Sequence, residues 1–155
     1  MKKGADRAIV LILFLLTQLE AVAGCDDRQI LRYCFQVWEA GAYGRDSSGR
    51  EAAAWIIRRT DRFSCRKWPA TNARKRQVWE RPKPEAAVAI LHTHPAGLDP
   101  KPSTGDVLLA KRIRAEVFSI SRQGIWKVNP DGEVTCEAGA EWYRDLEVNT
   151  TDSCE

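Results

Sequence analysis

The chain has 155 residues, of which 44% are hydrophobic and 29% are charged. This length and composition indicate one globular domain and exclude a disordered or fibrous chain. The 24 lysines and arginines nearly balance the 21 aspartates and glutamates, and a net charge of +3 does not indicate a nucleic-acid partner. The most unusual counts are the five cysteines and the two histidines.

Residues 1–24 have the composition of a bacterial secretory signal peptide, with a positive start and then an apolar run. The run Ile9–Leu16 is too short to cross a membrane, which takes about 20 apolar residues. Cleavage after Ala23 would release a soluble periplasmic protein, whereas the sequence ending in Cys25 is similar to a lipobox and would give a membrane-anchored lipoprotein. The sequence leaves both routes open, and both predict export of a single domain, 25–155.

The cysteines predict disulfides, because an exported chain folds in an oxidising compartment. If Cys25 carries lipid, four cysteines remain, and four cysteines allow two disulfides in three different pairings. The candidates are Cys34, Cys65, Cys136 and Cys154. No two cysteines have the Cys-x-x-Cys spacing of a zinc ribbon or a redox motif.

The first half of the chain predicts one helix and two strands. Apolar residues at helical spacing predict a helix over Asp26–Glu39. A strand is predicted at Glu51–Ile57, because turns bound it closely and Trp-Ile-Ile favours a sheet. A turn and a second strand follow at Thr60–Trp68. The segment Pro69–Pro84 is basic and is predicted to be irregular, with a short strand at 77–79.

The second half of the chain begins with its most apolar segment. Ala86–Leu91 is a run of six apolar residues, typical of a central strand that is buried on both faces. Prolines then prevent regular structure up to Ser103, where a helix that continues to Glu116 is predicted. The remaining predicted elements are strands at Val117–Ser121, Gly124–Val128 and Glu133–Cys136, with a turn at Asn129–Gly132. This order predicts an α/β (α+β) domain with a single sheet flanked by helices.

The strongest indication of chemistry is the segment His92-Thr93-His94-Pro95, which follows the central strand. Side chains alternate along a strand, so His92 and His94 are expected on one face, about 7 Å apart, where they can share one ion. Asp106, near the start of the second predicted helix, can supply a third ligand. Two imidazoles and one carboxylate, with a fourth position open to water, are typical of a catalytic zinc site.

This segment resembles the JAB/MPN metalloprotease family, also called JAMM, whose signature is H-[ST]-H-P followed by S-x-x-D. The matching residues are 92–95 and 103–106. Their sequence is similar to that of the RadC-type branch and of small secreted bacterial JAB-like domains. The resemblance implies a cytidine-deaminase-like fold, with zinc held by His92, His94 and Asp106. It also implies that Ser103 hydrogen-bonds the developing oxyanion or the zinc-bound water.

The family further implies an upstream glutamate that acts as acid and base. Glu51 matches this position, because it starts an apolar element similar to the family's E-x-x-G-x-[LI], with alanine in place of glycine. Glu85 is the main competitor, but it precedes His92 in the same predicted strand and therefore belongs to the opposite end of that strand.

The loop before the second helix departs from the family pattern. Eight residues separate His94 from Ser103, one more than is usual, so Leu98 counts as an insertion that could displace Asp106. Ser103 and Asp106 also have the spacing of an ordinary helix capping box, which is compatible with metal binding by the aspartate.

These features predict an exported zinc-dependent amide hydrolase, a peptidase or isopeptidase that uses a metal-activated water. Its expected substrates are peptides or proteins, including the stem peptides of peptidoglycan, and a lipidated Cys25 would attach it to the membrane. The alternative is a non-catalytic JAB-like module that binds a protein or a cell-wall partner. A RadC-like, DNA-associated protein conflicts with the predicted export.

Overall fold

The computed structural model describes residues 27–45, 50–70, 78–144, 146 and 153–155. The predicted signal peptide, 1–24, and the candidate lipidation residue Cys25 lie outside these described residues. In the part of the chain that is described, neither helix combines the length and the apolar character needed to cross a bilayer.

The described residues form one six-stranded sheet and two α-helices, with a short 3-10 helix at Ala42–Gly44. The helices are α1 (Arg28–Ala40) and α2 (Thr104–Ile113), and the strands are β1 (Ala53–Arg58), β2 (Phe63–Lys67), β3 (Ala87–Thr93), β4 (Glu116–Ser121), β5 (Gly124–Val128) and β6 (Val134–Ala138). The strand order is β2-β1-β3-β4-β5-β6. Neighbouring strands are antiparallel except for β3 and β4, which are parallel and are connected through α2. The predicted mixed α/β domain with a single sheet is therefore confirmed.

Helix α1 covers one face of the sheet. It begins after Asp27, whose side chain accepts a hydrogen bond of 2.8 Å from the backbone N–H of Gln29, as an N-cap residue does. Its apolar face, which includes Ile30 and Val37, is fully buried against strand residues such as Phe118. The predicted amphipathic helix is present, although Asp26 lies outside the described residues.

Helix α2 covers the opposite face. Its fully buried Ala110 packs in a second apolar cluster with Ile90 of β3, Val117 of β4 and Trp55 of β1. Successive strand residues alternate between the two faces, so the apolar run of β3 contributes to both clusters. The expectation of a central strand buried on both faces is confirmed, and β3 extends beyond the predicted Leu91 to Thr93.

The second helix is shorter than predicted. It ends at Ile113, not Glu116, because Arg114 adopts a left-handed backbone conformation with φ of 54°. Glu116 instead begins β4 opposite Ala89, and its carboxylate lies 3.7 Å from Nζ of Lys127. The buried Glu116 thus belongs to the sheet and pairs with Lys127, where the sequence predicted the last residue of a helix.

The remaining predicted elements differ mainly in their bounds. Strand β1 spans Ala53–Arg58 in place of Glu51–Ile57, and β2 spans Phe63–Lys67 within the predicted Thr60–Trp68. Strand β6 spans Val134–Ala138 in place of Glu133–Cys136, after the predicted turn in which Gly132 N–H bonds the Asn129 carbonyl at 2.9 Å. The short strand expected at 77–79 is not formed by its described residues, since Val78 and Trp79 have no regular structure and residue 77 lies outside the description.

A disulfide joins Cys65 of β2 to Cys154. Residues 153–155 run beside β2, where Glu155 donates to the Cys65 carbonyl at 3.1 Å and accepts from the Lys67 N–H. Cys34 is buried under the sheet in α1, while Cys136 is exposed on β6 at the far edge. The second disulfide that the cysteine count allowed is therefore not formed between these two residues.

Candidate metal centre

The two histidines stand at the carboxyl end of β3, on the face that α2 covers. His92 lies opposite Ala53 of β1 and Ser119 of β4. His94 follows the end of β3, but its N–H still bonds the Ile120 carbonyl at 2.8 Å, so the chain stays extended beside β4. The imidazole centroids are 4.9 Å apart and their planes differ by 29°. The expected shared face is confirmed.

Asp106 approaches the histidines from the first turn of α2. Its Oδ1 lies 3.6 Å from Nε2 of His92, and its Oδ2 lies 3.8 Å from Nε2 of His94. One potential ligand atom from each residue lies within 4.8 Å of the other two. His92, His94 and Asp106 therefore form a candidate metal-binding group, and the geometry alone does not identify the metal.

A capping box orients the aspartate. Asp106 Oδ2 accepts hydrogen bonds of 2.7 Å from both the backbone N–H and the hydroxyl of Ser103, while the Asp106 N–H bonds Ser103 Oγ at 3.2 Å. The S-x-x-D motif can therefore serve both as a helix capping box and as the source of a metal ligand, because the start of α2 also presents the Asp106 carboxylate to the histidines. The Ser103 hydroxyl donates to Asp106, and the role toward an oxyanion remains a prediction.

The loop between the histidines and α2 holds His94 in one tautomer. Nδ1 of His94 lies 2.7 Å from the backbone carbonyl of Asp99. A carbonyl only accepts, so Nδ1 carries the hydrogen and Nε2 is the ring nitrogen that faces Asp106. A second contact, from Ser119 Oγ to the Pro100 carbonyl at 2.8 Å, fixes the next peptide of the loop. Such support of a histidine through its other ring nitrogen is usual in metal sites.

His92 is kept neutral by its surroundings. Burial lowers the pKa of His92 to about 4; the Asp106 carboxylate raises this pKa in part, and His94 lowers it further. Its Nε2 is buried and has no hydrogen-bond partner within the described structure. A buried nitrogen without a partner is costly, and a bound cation would satisfy it. The donor set of two imidazoles and one carboxylate fits a divalent transition metal.

The extra residue in the loop does not displace the aspartate. The loop over 95–102 contains a turn in which the Leu98 N–H bonds the Pro95 carbonyl at 3.2 Å. Asp106 still lies within 4 Å of the two histidines at the atoms given above. Of the two possibilities that the sequence leaves open, the structure has the one in which the loop accommodates Leu98 and Asp106 stays near both histidines.

Glu51 lines the same cleft, which has a volume of about 440 Å³. Just before β1, the Ala52 carbonyl accepts a hydrogen bond of 2.9 Å from the Thr93 backbone N–H, and the Ala52 N–H donates one of 2.9 Å to the Thr93 hydroxyl oxygen. Strand β1 begins at Ala53, opposite His92, so Glu51 reaches the cleft from the segment just before the strand. Glu85 is exposed and lies before the start of β3, at the end of the strand remote from the histidines.

The cleft also contains residues that the sequence did not indicate. Trp68, Ile90 and Leu109 line it together with the predicted ligands. The backbone carbonyl of Asp99, which holds His94, was likewise missed. The periodicity of β3 and α2 could have suggested Ile90 and Leu109, but a backbone carbonyl and an isolated tryptophan leave no pattern.

Comparisons with known proteins give no relative for this chain. No protein-family model matches it, no curated protein matches it, and no solved structure matches it.

Proposed function

We propose that this protein is a zinc-dependent amide hydrolase of the JAB/MPN type, a peptidase or isopeptidase that acts on peptides or proteins. The observation that carries the proposal is the convergence of His92, His94 and Asp106 in a cleft whose wall includes Glu51. Neither the family nor the activity follows from the sheet order alone, since one fold can support many functions.

Zinc is the metal that we propose for this donor set. Catalytic zinc sites commonly combine three histidine and carboxylate ligands with one open position. When bound, zinc would polarise a substrate carbonyl and activate a water molecule at neutral pH. The cleft leaves room for a substrate beside the three ligands, which distinguishes it from a closed structural site.

The chain's own residues have separate tasks in this proposal. Glu51, which lines the cleft, would accept a proton and deliver it to the leaving nitrogen. Ser103 fixes both the start of α2 and the orientation of the Asp106 carboxylate. The Asp99 carbonyl accepts from Nδ1 of His94, which leaves Nε2 as the ring nitrogen that would bind the metal.

We further propose that the protein is exported in a bacterium, as a periplasmic protein or as a lipoprotein anchored through Cys25. The Cys65–Cys154 disulfide supports export, because such bonds persist mainly in oxidising compartments. Peptidoglycan stem peptides are a candidate substrate in that location. The N-terminal sequence of the mature protein and its mass would distinguish cleavage after Ala23 from lipidation of Cys25.

The decisive experiment compares three variants of the purified protein after zinc loading. We expect Glu51→Gln to retain zinc but to lose at least about 100-fold in peptide hydrolysis, since general acid–base groups contribute that much. His94→Ala should lose both zinc and hydrolysis. Glu85→Gln is the matched control and should behave like the unaltered protein, because this glutamate is exposed and remote from the cleft.

The outcomes separate the two function classes. An unaltered protein that binds no zinc would refute the proposal. A protein that binds zinc tightly but hydrolyses no peptide across a broad substrate set would favour the non-catalytic JAB-like binding module.

A further inference from the structure

We infer that the cleft binds an apolar side chain of the substrate, directly beside the amide bond to be cleaved. This inference rests on the proposed function and specifies its substrate class. It is carried by three residues, Trp68, Ile90 and Leu109, which line the cleft together with the metal ligands.

Ile90 forms the floor of this apolar part. It precedes His92 by two positions on β3, so both side chains point to the same face, roughly 7 Å apart. Ile90 is only 1% exposed. Ala53, which lies opposite His92 on β1, adds only a methyl group. No large side chain therefore fills the cleft beside His92 from β1.

Leu109 forms the wall that α2 contributes. It follows Asp106 by three positions, and residues at this spacing share one side of a helix. The preceding residue, Leu108, is 63% exposed and points away from the cleft lining. The same helix thus places a carboxylate and then an apolar side chain along the cleft.

Trp68 forms the third wall and is held firmly. The backbone N–H of Trp68 donates a hydrogen bond of 2.8 Å to the Ala53 carbonyl, just beyond the end of β2. Its ring lies 5.5 Å from that of the buried Trp55 and 5.6 Å from that of Trp79. Because the indole packs against two others, this wall is preformed and does not need to be ordered by a ligand.

The charged side chains of the cleft come from other segments than these three residues. Glu51 precedes β1, and Asp99 and Lys101 belong to the loop over 95–102, which also contributes Leu98 and Pro102 to the lining. Lys101 is directed toward the Trp126 ring, with Nζ 5.2 Å from the ring centroid. A charged substrate side chain beside Ile90 and Leu109 would lose its hydration without meeting an opposite charge on either residue, whereas an apolar one would gain from burial.

The test uses binding, so it does not depend on turnover. Amino-acid hydroxamates chelate zinc, and those of glycine, leucine and aspartate differ only in the side chain. We expect the zinc-loaded protein to bind the leucine compound at least about tenfold more tightly than the glycine compound, measured by calorimetry. The aspartate compound should bind no better than the glycine compound.

Matched variants locate the preference. Leu109→Ser should reduce the leucine-to-glycine ratio several-fold while zinc content stays unchanged, and Leu109→Ala provides a milder replacement if the serine variant folds poorly. Leu108→Ser changes the neighbouring exposed leucine and should keep the full ratio.

The results distinguish failure of the apolar subsite from failure of the proposed zinc-dependent function. Equal affinity for the leucine and glycine compounds in a zinc-loaded protein would overturn this inference and leave the proposed zinc site intact. An equal drop of the ratio in the Leu108 and Leu109 variants would also overturn it. A protein that binds no zinc would overturn the proposed function, and this inference with it.

Discussion

Two clefts of nearly equal volume lie at opposite ends of β1. The candidate metal centre occupies about 440 Å³ near Glu51, and a second cleft of about 450 Å³ surrounds the turn between β1 and β2. The second cleft is lined by charged side chains such as Arg59, Asp61 and Arg62, all of which are exposed. Cleft volume therefore does not distinguish the two regions.

The difference lies in how the polar groups are held. In the first cleft, the Asp99 carbonyl fixes one histidine, Ser103 fixes the aspartate, and burial keeps His92 neutral. In the second cleft, the charged groups are solvated, and exposed charges of this kind contribute little to binding or stability. Convergence of buried, oriented ligand atoms is thus the better indicator of a site.

The largest expected effect comes from removing one metal ligand. We predict that His94→Ala lowers zinc affinity by more than about 100-fold, because even the loss of a supporting residue costs 10- to 100-fold at such sites. Calorimetric zinc titration measures this change. Arg62→Ala in the second cleft is the control and should leave the affinity unchanged. An equal loss of zinc affinity in His94→Ala and Arg62→Ala would contradict the conclusion that only the first cleft binds the metal.

The next largest effect concerns the disulfide, which borders the second cleft through Cys65. We predict that Cys154→Ser lowers the free energy of unfolding by about 2–4 kcal/mol, because the cross-link closes a long segment of chain. Urea unfolding measures the loss, and zinc affinity should stay within twofold. Cys136→Ser, which changes an exposed thiol, should leave stability unaltered. A Cys154→Ser variant as stable as the unaltered protein would contradict the prediction.

A somewhat smaller effect concerns pH and the metal-free protein. The pKa of His92 is about 4 in the folded state against 6.5 ordinarily, mainly because the ring is buried. As pH falls from about 6.5 to about 4, the unfolded chain takes up a proton that folded His92 resists. Stability should therefore fall over this range, by up to about 3 kcal/mol.

Thermal unfolding in the presence of a chelator, at a series of pH values, measures this dependence. His92→Gln removes the titrating ring and should flatten the profile. An equally steep decline in His92→Gln would show that other groups cause the loss.

The smallest effect compares the two helix starts. Ser103→Ala and Asp27→Ala each remove an N-cap side chain and should each cost about 1 kcal/mol of stability. Only Ser103→Ala should also weaken zinc binding, by about tenfold, because only Ser103 supports a ligand. Equal zinc affinities in the two variants would mean that Ser103 acts only as a cap.

Local patterns predicted most of the elements and the ligands. The apolar run of β3, the spacing of the two histidines and the S-x-x-D capping box are all determined by residues close together in the chain. These signals indicated His92, His94 and Asp106 correctly as a candidate group. They also placed both helices, because periodicity and N-cap residues act over a few positions.

The missed features depend on residues far apart in the chain. Cys65 pairs with Cys154 across 89 positions, and no spacing rule selects that pair. Glu116 joins β4 because Lys127 from the next strand lies near its carboxylate, a contact that helix propensity does not include. Trp68 reaches the cleft only because β2 pairs with β1 in one particular register.

The short segment 153–155 has a consequence for how molecules of this protein meet one another. By bonding to the backbone of Cys65 and Lys67, it occupies groups of β2 that would otherwise be open to strands from other molecules. Detaching it would uncover a ready template for intermolecular pairing. Loss of this segment should therefore first appear as aggregation on storage, before any change in metal binding.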